Sequence, residues 1–471
     1  MALRILSIVI SIIYFFFLTK SFGELVTILP GQPTHVSFKQ YSGYIVTDAA
    51  HGRALFYYFV EADSAHPLSR PLTVWLSGGP GCSSLGEGAF TENGPFQSKD
   101  SGHLAKNIYS WNLESNMLYV ESPIGVGFSY SNTSLDYISW NDTTTAEDNL
   151  KFLLNWLEKF PKYKHSDLYL AGDSYAGHYV PQLASLLLEY NRKPDIRPIK
   201  LKGVALGSPL LNLDISMESA DDLWSHGAIS DETLMLEKTI CKIPTYYKEL
   251  FVYKNLSKEC IDVFDRINGE IGDDLDRNDL LSFKCLPSSR AEQFRARATN
   301  PMAKGTSAAD PCLSDRVLAY LNRPKVQKAL HAIPVNWSFC SGPLQYQMDN
   351  VDINIIPVVS DLLKSNISIM LYNGDQDAKV SLSQTRIIAN TIAKSLKLVP
   401  LTSYGPWYDN KQVGGWAQSF GKLRYGKNVT YLTFATVRGG SHGAPYTSPS
   451  QALTLFRAFL SASSLPTPKV A

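Results

Sequence analysis

The chain has 471 residues, of which 44% are apolar and 18% are charged, with 44 Lys and Arg residues against 43 Asp and Glu residues. This composition supports a large folded core and excludes a disordered or fibrous chain. A formal net charge of +1 gives no electrostatic basis for binding nucleic acid. Neither GxxxxGK[ST] nor GxGxxG occurs, so the sequence predicts no nucleotide cofactor.

Residues 1–23 have the pattern of a secretory signal peptide. Arg4 is followed by the apolar stretch Ile5 to Leu18, and small residues precede a cut before Glu24. Because this stretch is shorter than the about 20 residues that cross a bilayer, cleavage is favoured over an uncleaved anchor. We therefore expect a soluble protein outside the cytosol that has no membrane contact after cleavage.

The cysteines form an even set, which in a secretory context favours disulfides over metal ligands. They include no CxxC pair, and no HExxH motif occurs, so no metal site is predicted. Spacing alone does not choose among the possible pairings. The cysteines are Cys82, Cys241, Cys260, Cys285, Cys312 and Cys340. Acceptors of the N-x-[ST] form, which predict glycosylation, are Asn132, Asn141, Asn255, Asn336, Asn366 and Asn428.

Most of the chain predicts alternating strands and helices, which imply a mainly parallel sheet with helices on both faces. The predicted strands are Tyr41 to Val46, Leu55 to Glu61, Leu72 to Leu76, Met117 to Glu121, Asp167 to Ala171, Leu201 to Leu206, Ile367 to Tyr372 and Val429 to Val437. Amphipathic helices are predicted over Thr145 to Phe160 and Tyr179 to Tyr190. We expect an α/β core in two parts, residues 24–213 and 333–471.

Residues 214–332 have a different pattern. Helical segments such as Asp231 to Ile243 dominate, four of the six cysteines cluster there, and no buried strand is evident. This stretch is predicted to be a disulfide-stapled helical insertion that lies over the sheet. Within it, residues 287–310 have no apolar period and are expected to form an exposed, protease-accessible loop.

Residues 171–180 predict a strand, a tight turn and a helix. Residues 172–176 read GDSYA, which approximates the GxSxG pattern with Ala in the last place. At such a turn Ser174 would expose its hydroxyl oxygen as a nucleophile, and the helix N-terminus would supply nearby donors. The alternative is a serine in an ordinary strand-to-helix turn, so Ser174 needs partners elsewhere in the chain.

In a triad on an α/β sheet the acid and the histidine follow the serine in that order, each just after a later strand. The loop after the second-to-last predicted strand contains Asp375 and Asp377, and the loop after the last one contains His442. His442 would take the proton of Ser174, and a carboxylate would hold the imidazole tautomer. Asp377 is favoured because a few residues are needed for the chain to bring the acid to His442.

An oxyanion hole needs two backbone N–H groups aimed at the developing negative charge. One is expected at Tyr175, directly after the nucleophile. The other is expected in the loop SGGPGC, residues 77–82, where Gly79 is favoured because a side chain would block the approach of substrate. This loop also fits a tight turn that anchors Cys82, and the two roles are compatible.

Four blocks of sequence, in this order, resemble the signature of plant serine carboxypeptidase-like proteins. They are WLSGGPGCSS at 75–84, GDSYAG at 172–177, GDQD at 374–377 and GSH at 440–442. The likeness runs from about Leu29 to Phe459. It implies an α/β-hydrolase fold, a triad of Ser174, Asp377 and His442, and removal of C-terminal residues from peptides at acidic pH without a cofactor. It also implies disulfides resembling Cys82–Cys340, Cys241–Cys260 and Cys285–Cys312, and a secreted or vacuolar location.

The resemblance further implies a group of residues that bind the terminal carboxylate of the substrate. In the family these are an amide and a protonated acid, at the positions of Ser77 and Asp173, assisted by the positions of Gly78 and Glu92. A carboxyl group donates to a carboxylate only while it is protonated, which would explain an acidic optimum. The family usually has Asn in place of Ser77 and Glu in place of Asp173, so both side chains have a shorter reach here.

These departures leave two enzymatic functions open. The first is a secreted serine carboxypeptidase that forms an acyl-enzyme on Ser174 and acts on peptides. The alternative is an acyltransferase of the same family, which uses glucose-ester acyl donors and shares the triad. The GDSY block resembles the acyltransferases, whereas GHYVP at 177–181 resembles the peptidases. A non-catalytic binding protein is disfavoured because no triad residue is missing, and a homodimer stays open.

Overall fold

The computed structural model describes residues 24–100, 102–273, 275–285, 310–424 and 427–467. The predicted signal peptide and all but the last residue of the predicted 287–310 loop lie outside the described residues. The strands are β1 Glu24–Leu25, β2 Gln40–Asp48, β3 Arg53–Val60, β4 Leu72–Leu76, β5 Phe96–Ser98, β6 Leu104–Lys106, β7 Asn116–Val120, β8 Leu168–Asp173, β9 Leu201–Gly207, β10 Ser368–Gly374, β11 Val399–Pro400, β12 Gly405–Asp409, β13 Gln412–Arg424 and β14 Lys427–Val437.

Helices connect most of the central strands. The α-helices are α1 Asp142–Lys159, α2 Ala176–Tyr190, α3 Leu213–Ser216, α4 Ala220–Ser225, α5 Asp231–Thr239, α6 Ile243–Tyr247, α7 Lys258–Ile271, α8 Leu313–Leu321, α9 Pro324–Ala329, α10 Ile356–Lys364, α11 Leu382–Ser395, α12 Ala444–Thr447 and α13 Pro449–Leu460. Two π-helices are Ser84–Glu92 and Lys248–Tyr253. Short 3-10 turns are Pro67–Ser69, Trp111–Leu113, Ser134–Tyr137, Pro161–Tyr163 and Met348–Asp352.

One mixed sheet of twelve strands organises the fold, in the order β1-β2-β3-β7-β4-β8-β9-β10-β14-β13-β11, with β12 paired to β13. The central strands from β7 to β14 are parallel. Antiparallel pairs flank them on both sides. Sites in open α/β sheets lie beyond the carboxyl ends of the parallel strands, so this topology fixes which edge of the sheet carries the chemistry.

Helices cover both faces of the sheet and create two apolar layers. On one face α1, α2, α10 and α11 bury side chains such as Trp156 and Ile388. On the other face α8, α9 and α13 bury side chains such as Phe456. Side chains alternate between the layers along β4, where Val74 enters the first layer and Trp75 the second. This two-sided burial explains why the central strands read as continuous apolar runs.

Helices α4 to α7 lie between β9 and β10 in the chain and form a smaller apolar cluster of their own. The cluster buries Ile267, contains the disulfide Cys241–Cys260, and includes Ala378 from the loop after β10. Since Ala378 directly follows Asp377, the helical segment packs onto the loop that carries the predicted triad acid. Helices α8 and α9 instead pack into the second layer of the sheet core.

The structure contains three disulfides, and they are the pairs that the family resemblance implies. They are Cys82–Cys340, Cys241–Cys260 and Cys285–Cys312. The first joins the glycine loop after β4 to a segment 258 residues further along the chain. The other two lie within the stretch predicted as an insertion.

Two of the differences from the sequence predictions have a clear local cause. The helix expected over 231–243 ends at Thr239, and a new helix begins at Ile243. Pro244 lies in the first turn of that new helix, where its missing N–H is not needed. The β12–β13 hairpin was not predicted, because three glycines in β13 weaken its strand pattern.

Among the described residues, no helix is both long enough and apolar enough to cross a membrane. Four of the predicted glycosylation acceptors have exposed side chains, namely Asn132, Asn255, Asn336 and Asn366. Asn141 is half-buried, and its Oδ1 accepts from the backbone N–H of Thr144 at the start of α1. The side chain of Asn428 lies outside the description, and glycosylation stays a prediction.

Candidate active site

Ser174 occupies a strained turn between β8 and α2. Its φ is 58°, in the left-handed region that non-glycine residues rarely adopt and that is common at functional sites. Its backbone N–H donates to the carbonyl oxygen of Gly207 at 2.9 Å, and its carbonyl accepts from Gly177 at 2.9 Å. A side chain at Gly172 would collide with the backbone of β4. The surrounding backbone therefore holds Ser174 in the strained conformation.

His442 and Asp377 follow β14 and β10, and their side chains are in direct contact. Oδ2 of Asp377 lies 2.8 Å from Nδ1 of His442, and Oδ1 accepts from two N–H groups of its own loop at 2.8 and 3.0 Å. Asp375 instead accepts from the N–H of Gly439 at 2.7 Å. Burial alone would lower the pKa of His442, but the neighbouring Asp377 carboxylate reverses this and the net shift is upward.

A cavity of about 400 Å³ opens at the carboxyl edge of the central strands. The predicted site residues on its wall are Ser77, Gly78, Gly79, Glu92, Asp173, Ser174 and His442. Asp377 is buried and reaches the cavity only through His442. The structure thus brings together, around one cavity, residues from loops that are far apart in the sequence.

The glycine loop after β4 lies against the turn that carries Ser174. A Cβ atom at Gly78 would be 2.4 Å from the backbone nitrogen of Tyr175 and 2.8 Å from Cβ of Ser174, so this contact requires glycine. Gly79 has a φ of 114°, which also favours glycine. The two segments that are predicted to supply the oxyanion donors are therefore in direct contact.

Two buried carboxyl groups, those of Glu92 and Asp173, line the cavity beside Ser174. Their residues are 4% and 8% exposed, and within the described part of the chain Oε2 of Glu92 and Oδ1 of Asp173 have no hydrogen-bond partner. Burial raises the pKa of Glu92 well above its usual range, and Asp173 raises it further. Burial also raises the pKa of Asp173 to about 6, although His442 and Ser77 oppose the shift. In mildly acidic water these groups are neutral donors.

Glu87 also lines this cavity, and the sequence patterns did not single it out. Burial raises its pKa to about 7, and the charge of Asp173 adds to the shift. The signal that would have found it is a single charged residue between two glycines in the otherwise small and apolar stretch SLGEGAF, residues 84–90. A lone charged residue in a small, apolar stretch indicates a functional role, because burying its charge costs free energy.

A buried hydrogen-bond network lies beneath the nucleophile turn and was also missed. Oδ1 of Asp142 accepts from the hydroxyls of Tyr175 at 3.0 Å and Tyr346 at 2.6 Å. Oδ2 of Asp142 lies 2.8 Å from Nδ1 of His178, whose ring stacks on that of Tyr175 at a centroid distance of 4.5 Å. The network anchors the side chain of the residue that directly follows Ser174.

Residues 275–285, which we call the strap, cross over the two loops that carry the histidine and the acid. The strap is attached to them by three backbone hydrogen bonds, from His442 to the carbonyl of Asn278 at 2.7 Å, from Ala378 to Arg277 at 3.0 Å, and from Leu280 to Gln376 at 3.0 Å. The disulfide Cys285–Cys312 lies at its end. No short motif marks these contacts, so sequence reasoning could not find them.

Ser174 is a half-buried serine at a strand-to-helix turn, and it lines the same cavity as His442, whose ring a buried carboxylate orients. This combination is typical of the serine hydrolases built on an α/β sheet. Comparison with known proteins gives the family. The model of the serine carboxypeptidase family matches residues 30–462, and the chain belongs to that family. It is therefore a serine-type carboxypeptidase by family.

Among the described residues, no group of three or more His, Cys, Asp or Glu side chains is placed to hold a metal ion.

Curated relatives and a solved structure agree with this assignment. Serine carboxypeptidase-like 45 of Arabidopsis thaliana is 43% identical over 473 residues, covering 98% of this chain and 99% of the relative. Serine carboxypeptidase 24 of the same plant is 39% identical, covering 93% and 92%. The Saccharomyces cerevisiae prohormone-processing carboxypeptidase Kex1 superposes with a TM-score of 0.74 at 19% identity, covering 96% of this chain and 98% of that chain. This likeness shows the α/β-hydrolase fold.

Proposed function

We propose that the protein enters the secretory pathway and releases C-terminal residues from peptides through an acyl-enzyme on Ser174. The observation that carries the proposal is the pair of buried carboxyl groups, Glu92 and Asp173, beside the nucleophile. Each has an oxygen without a hydrogen-bond partner among the described residues. While neutral, such groups bind a peptide's terminal carboxylate, which favours cleavage of the last peptide bond over cleavage within a chain.

In the proposed reaction, neutral His442 accepts the proton of Ser174 as the serine oxygen attacks the last peptide carbonyl. The backbone N–H groups of Gly79 and Tyr175 stabilise the negative charge on the carbonyl oxygen. His442 then donates the proton to the nitrogen of the leaving residue, and the peptide bond breaks. Water attacks the acyl-enzyme with the same proton transfers and releases the shortened peptide. Asp377 holds the ring of His442 and stabilises its cation.

The carboxylate of the leaving residue would be held by Asp173 and Glu92, together with the Ser77 hydroxyl and the Gly78 N–H. The Ser77 hydroxyl accepts from Nε1 of Trp75 at 3.0 Å and hydrogen-bonds to Asp173, so a substrate carboxylate would compete with Asp173 for the Ser77 proton. Ionised acids would repel a carboxylate. Binding should therefore weaken as the pH rises through about 6, the pKa of Asp173.

The test compares N-blocked dipeptides that have a free C-terminal carboxylate with the same dipeptides as C-terminal amides. Titration of His442 affects both substrates, so the ratio of their kcat/KM values isolates the carboxylate-binding groups. We expect this ratio to fall at least tenfold between about pH 5 and about pH 8, because the carboxylate-binding groups lose a charge-assisted hydrogen bond. In Asp173→Asn, whose amide does not titrate, the fall should be smaller. A ratio that stays constant in the wild-type protein would refute the proposal.

The acyltransferase alternative shares Ser174, Asp377 and His442, so the same preparation tests it. A 1-O-acylglucose and an alcohol acceptor replace the dipeptide, and ester formation is measured. Ester formation without hydrolysis of the dipeptides would replace our proposal by the alternative. The secretory location is tested separately by N-terminal sequencing of the mature protein, which should begin at Glu24.

A further inference from the structure

The buried carboxylate of Asp142 holds side chains from two distant parts of the chain. Its Oδ1 accepts from the hydroxyl of Tyr175 at 3.0 Å and from that of Tyr346 at 2.6 Å. Its Oδ2 lies 2.8 Å from Nδ1 of His178 and 3.4 Å from Nε2 of Gln182, both on α2. Asp142 is itself the first residue of α1, a helix of 18 residues that packs in the sheet core. The helix therefore gives these contacts a rigid base.

The contact with Tyr175 fixes the residue that directly follows the nucleophile. The hydroxyl at the end of the Tyr175 ring is bound by Asp142, and the face of the ring stacks on His178 at a centroid distance of 4.5 Å. Because this buried side chain is held both at its end and on its face, the Cα atom and the backbone N–H of Tyr175 are held as well. This N–H is one of the two donors expected to stabilise the negative charge in the proposed reaction.

The contact with Tyr346 fixes the loop that carries the other donor. The glycine loop after β4 is joined to a later segment of the chain by the disulfide Cys82–Cys340. Between the same two segments, the backbone N–H of Ser341 donates to the carbonyl of Gly81 at 2.9 Å. Tyr346 belongs to this later segment, and its hydroxyl donates to the carboxylate at the start of α1. One carboxylate is therefore connected to both halves of the predicted oxyanion hole.

The glycine loop and the nucleophile turn lie so close together that a small shift of either one changes the oxyanion hole. A Cβ atom at Gly78 would be 2.4 Å from the backbone nitrogen of Tyr175. Donors that are fixed before the reaction stabilise the transition state more than the substrate, and a displacement of about 1 Å can cost on the order of a hundredfold in rate. A contact outside the cavity can therefore control the rate through the separation of the two donors.

We propose that Asp142 is a positioning residue that sets the separation of the oxyanion donors, the N–H groups of Tyr175 and Gly79. It holds the first donor through the Tyr175 ring and the second through Tyr346 and the disulfide-linked glycine loop. The inference rests on the proposed function, since it takes Ser174 as the nucleophile and these N–H groups as the donors. Loss of either tyrosine hydroxyl should lower kcat and leave KM unchanged, because the donors act mainly on the transition state.

The test removes one hydroxyl by Tyr346→Phe and uses Tyr163→Phe as the matched control. Tyr163 follows the far end of α1, and its hydroxyl donates to the buried carboxylate of Glu61 at 2.9 Å. The control therefore loses the same kind of bond away from the active site. Kinetics with N-blocked dipeptides give kcat and KM. An N-blocked amino-acid trifluoromethyl ketone gives a third value, its Ki, because it adds to the Ser174 hydroxyl and places a negatively charged oxygen at the two N–H donors.

We expect Tyr346→Phe to lower kcat by about ten- to a hundredfold and to raise the Ki of the ketone by a similar factor, with KM within about twofold of wild type. Tyr163→Phe should leave all three values within about threefold of wild type, although chemical denaturation should show a similar loss of stability. Tyr175→Phe breaks the other hydroxyl bond to the same carboxylate, and it should give the same result if Tyr346→Phe fails to fold.

Equal effects of Tyr346→Phe and Tyr163→Phe, or a raised KM with an unchanged kcat, would overturn the role of Asp142 and leave the proposed function intact. A loss of kcat without weaker binding of the ketone would also overturn it, since the defect would then lie outside the oxyanion hole. Failure of the wild-type protein to cleave any of the N-blocked dipeptides would instead overturn the proposed function.

Discussion

Nδ1 of His442 and Oδ2 of Asp377 are 2.8 Å apart, although the two residues follow different strands and are separated by 65 positions in the chain. The second oxygen of Asp377 is occupied by backbone N–H groups of its own loop. The carboxylate therefore cannot turn away, and it fixes Nε2 of His442 as the atom that is free to take a proton from Ser174.

The change Asp377→Asn should lower kcat by about 10⁴-fold, because an amide N–H facing Nδ1 would stabilise the wrong tautomer of His442. The measurement is kcat for an N-blocked dipeptide. A matched control is Asp375→Asn, since Asp375 contacts the backbone of Gly439 and not the histidine. The control should lose less than tenfold in kcat. Equal losses in the two variants would contradict the roles assigned to these acids.

The double change Ser77→Asn with Asp173→Glu should raise kcat/KM for peptides with a free C terminus. Both replacements lengthen a donor that reaches toward the substrate carboxylate, and one improved hydrogen bond to a charged group corresponds to roughly ten- to a hundredfold. The matched C-terminal amide is the control, and its rate should change little. An increase of the same size for the amide would show that the effect does not come from the carboxylate.

Asp142→Asn should lower the free energy of unfolding by about 2–3 kcal/mol, because both carboxylate oxygens accept from buried donors and the amide NH2 cannot accept. Tyr175→Phe removes only one hydroxyl from the same network and should cost about 1 kcal/mol. Chemical denaturation of both variants measures the difference. A smaller loss for Asp142→Asn than for Tyr175→Phe would show that this contact does not hold the turn together.

The buried acids predict how stability depends on pH. Burial raises the pKa of Glu87 and Glu121 to about 7 and that of Asp173 to about 6. Their unfolded values are near 4, so above about pH 4 the unfolded chain gives up protons that the folded protein keeps. Raising the pH through this range therefore favours unfolding.

We expect the Tm at pH 7.5 to be several degrees lower than at pH 5, measured by calorimetry at constant ionic strength. Glu87→Gln removes one of the titrating groups, so its Tm should fall less over the same interval. A Tm that rises between these two pH values in the wild-type protein would show that the buried acids ionise as easily in the folded state as in the unfolded chain.

The parts of the fold that the sequence predicted well are those with a strong local pattern. The bounds of β4 agree at both ends, because an apolar run stops at a glycine loop that no strand continues. The pairing of His442 with Asp377 was expected from the order of the loops along the chain. In the structure Asp377 contacts His442 and Asp375 contacts the backbone of Gly439. The catalytic role of Asp377 stays a prediction.

The features that could not be predicted depend on contacts between distant segments. The sequence of the π-helix that carries Glu87 shows no regular spacing of apolar residues. Its two glycines, Gly86 and Gly88, pack closely against tryptophan rings and contribute no side chains to an apolar helix face. The contact of Asp142 with His178 joins two helices 36 residues apart, and neither residue belongs to a triad pattern. The hydrogen bond between the strap and His442 joins two backbone atoms, and such a contact cannot be read from side-chain chemistry.

The central claim is that the hydroxyl of Ser174 is the nucleophile, and covalent labelling tests it most directly. The wild-type protein is treated with a phosphonofluoridate, digested, and mapped by mass spectrometry, with Ser174→Ala as the matched variant. We expect one adduct per chain, on the peptide that contains Ser174, and none on the variant. An adduct on a different residue, or undiminished labelling of Ser174→Ala, would contradict the account.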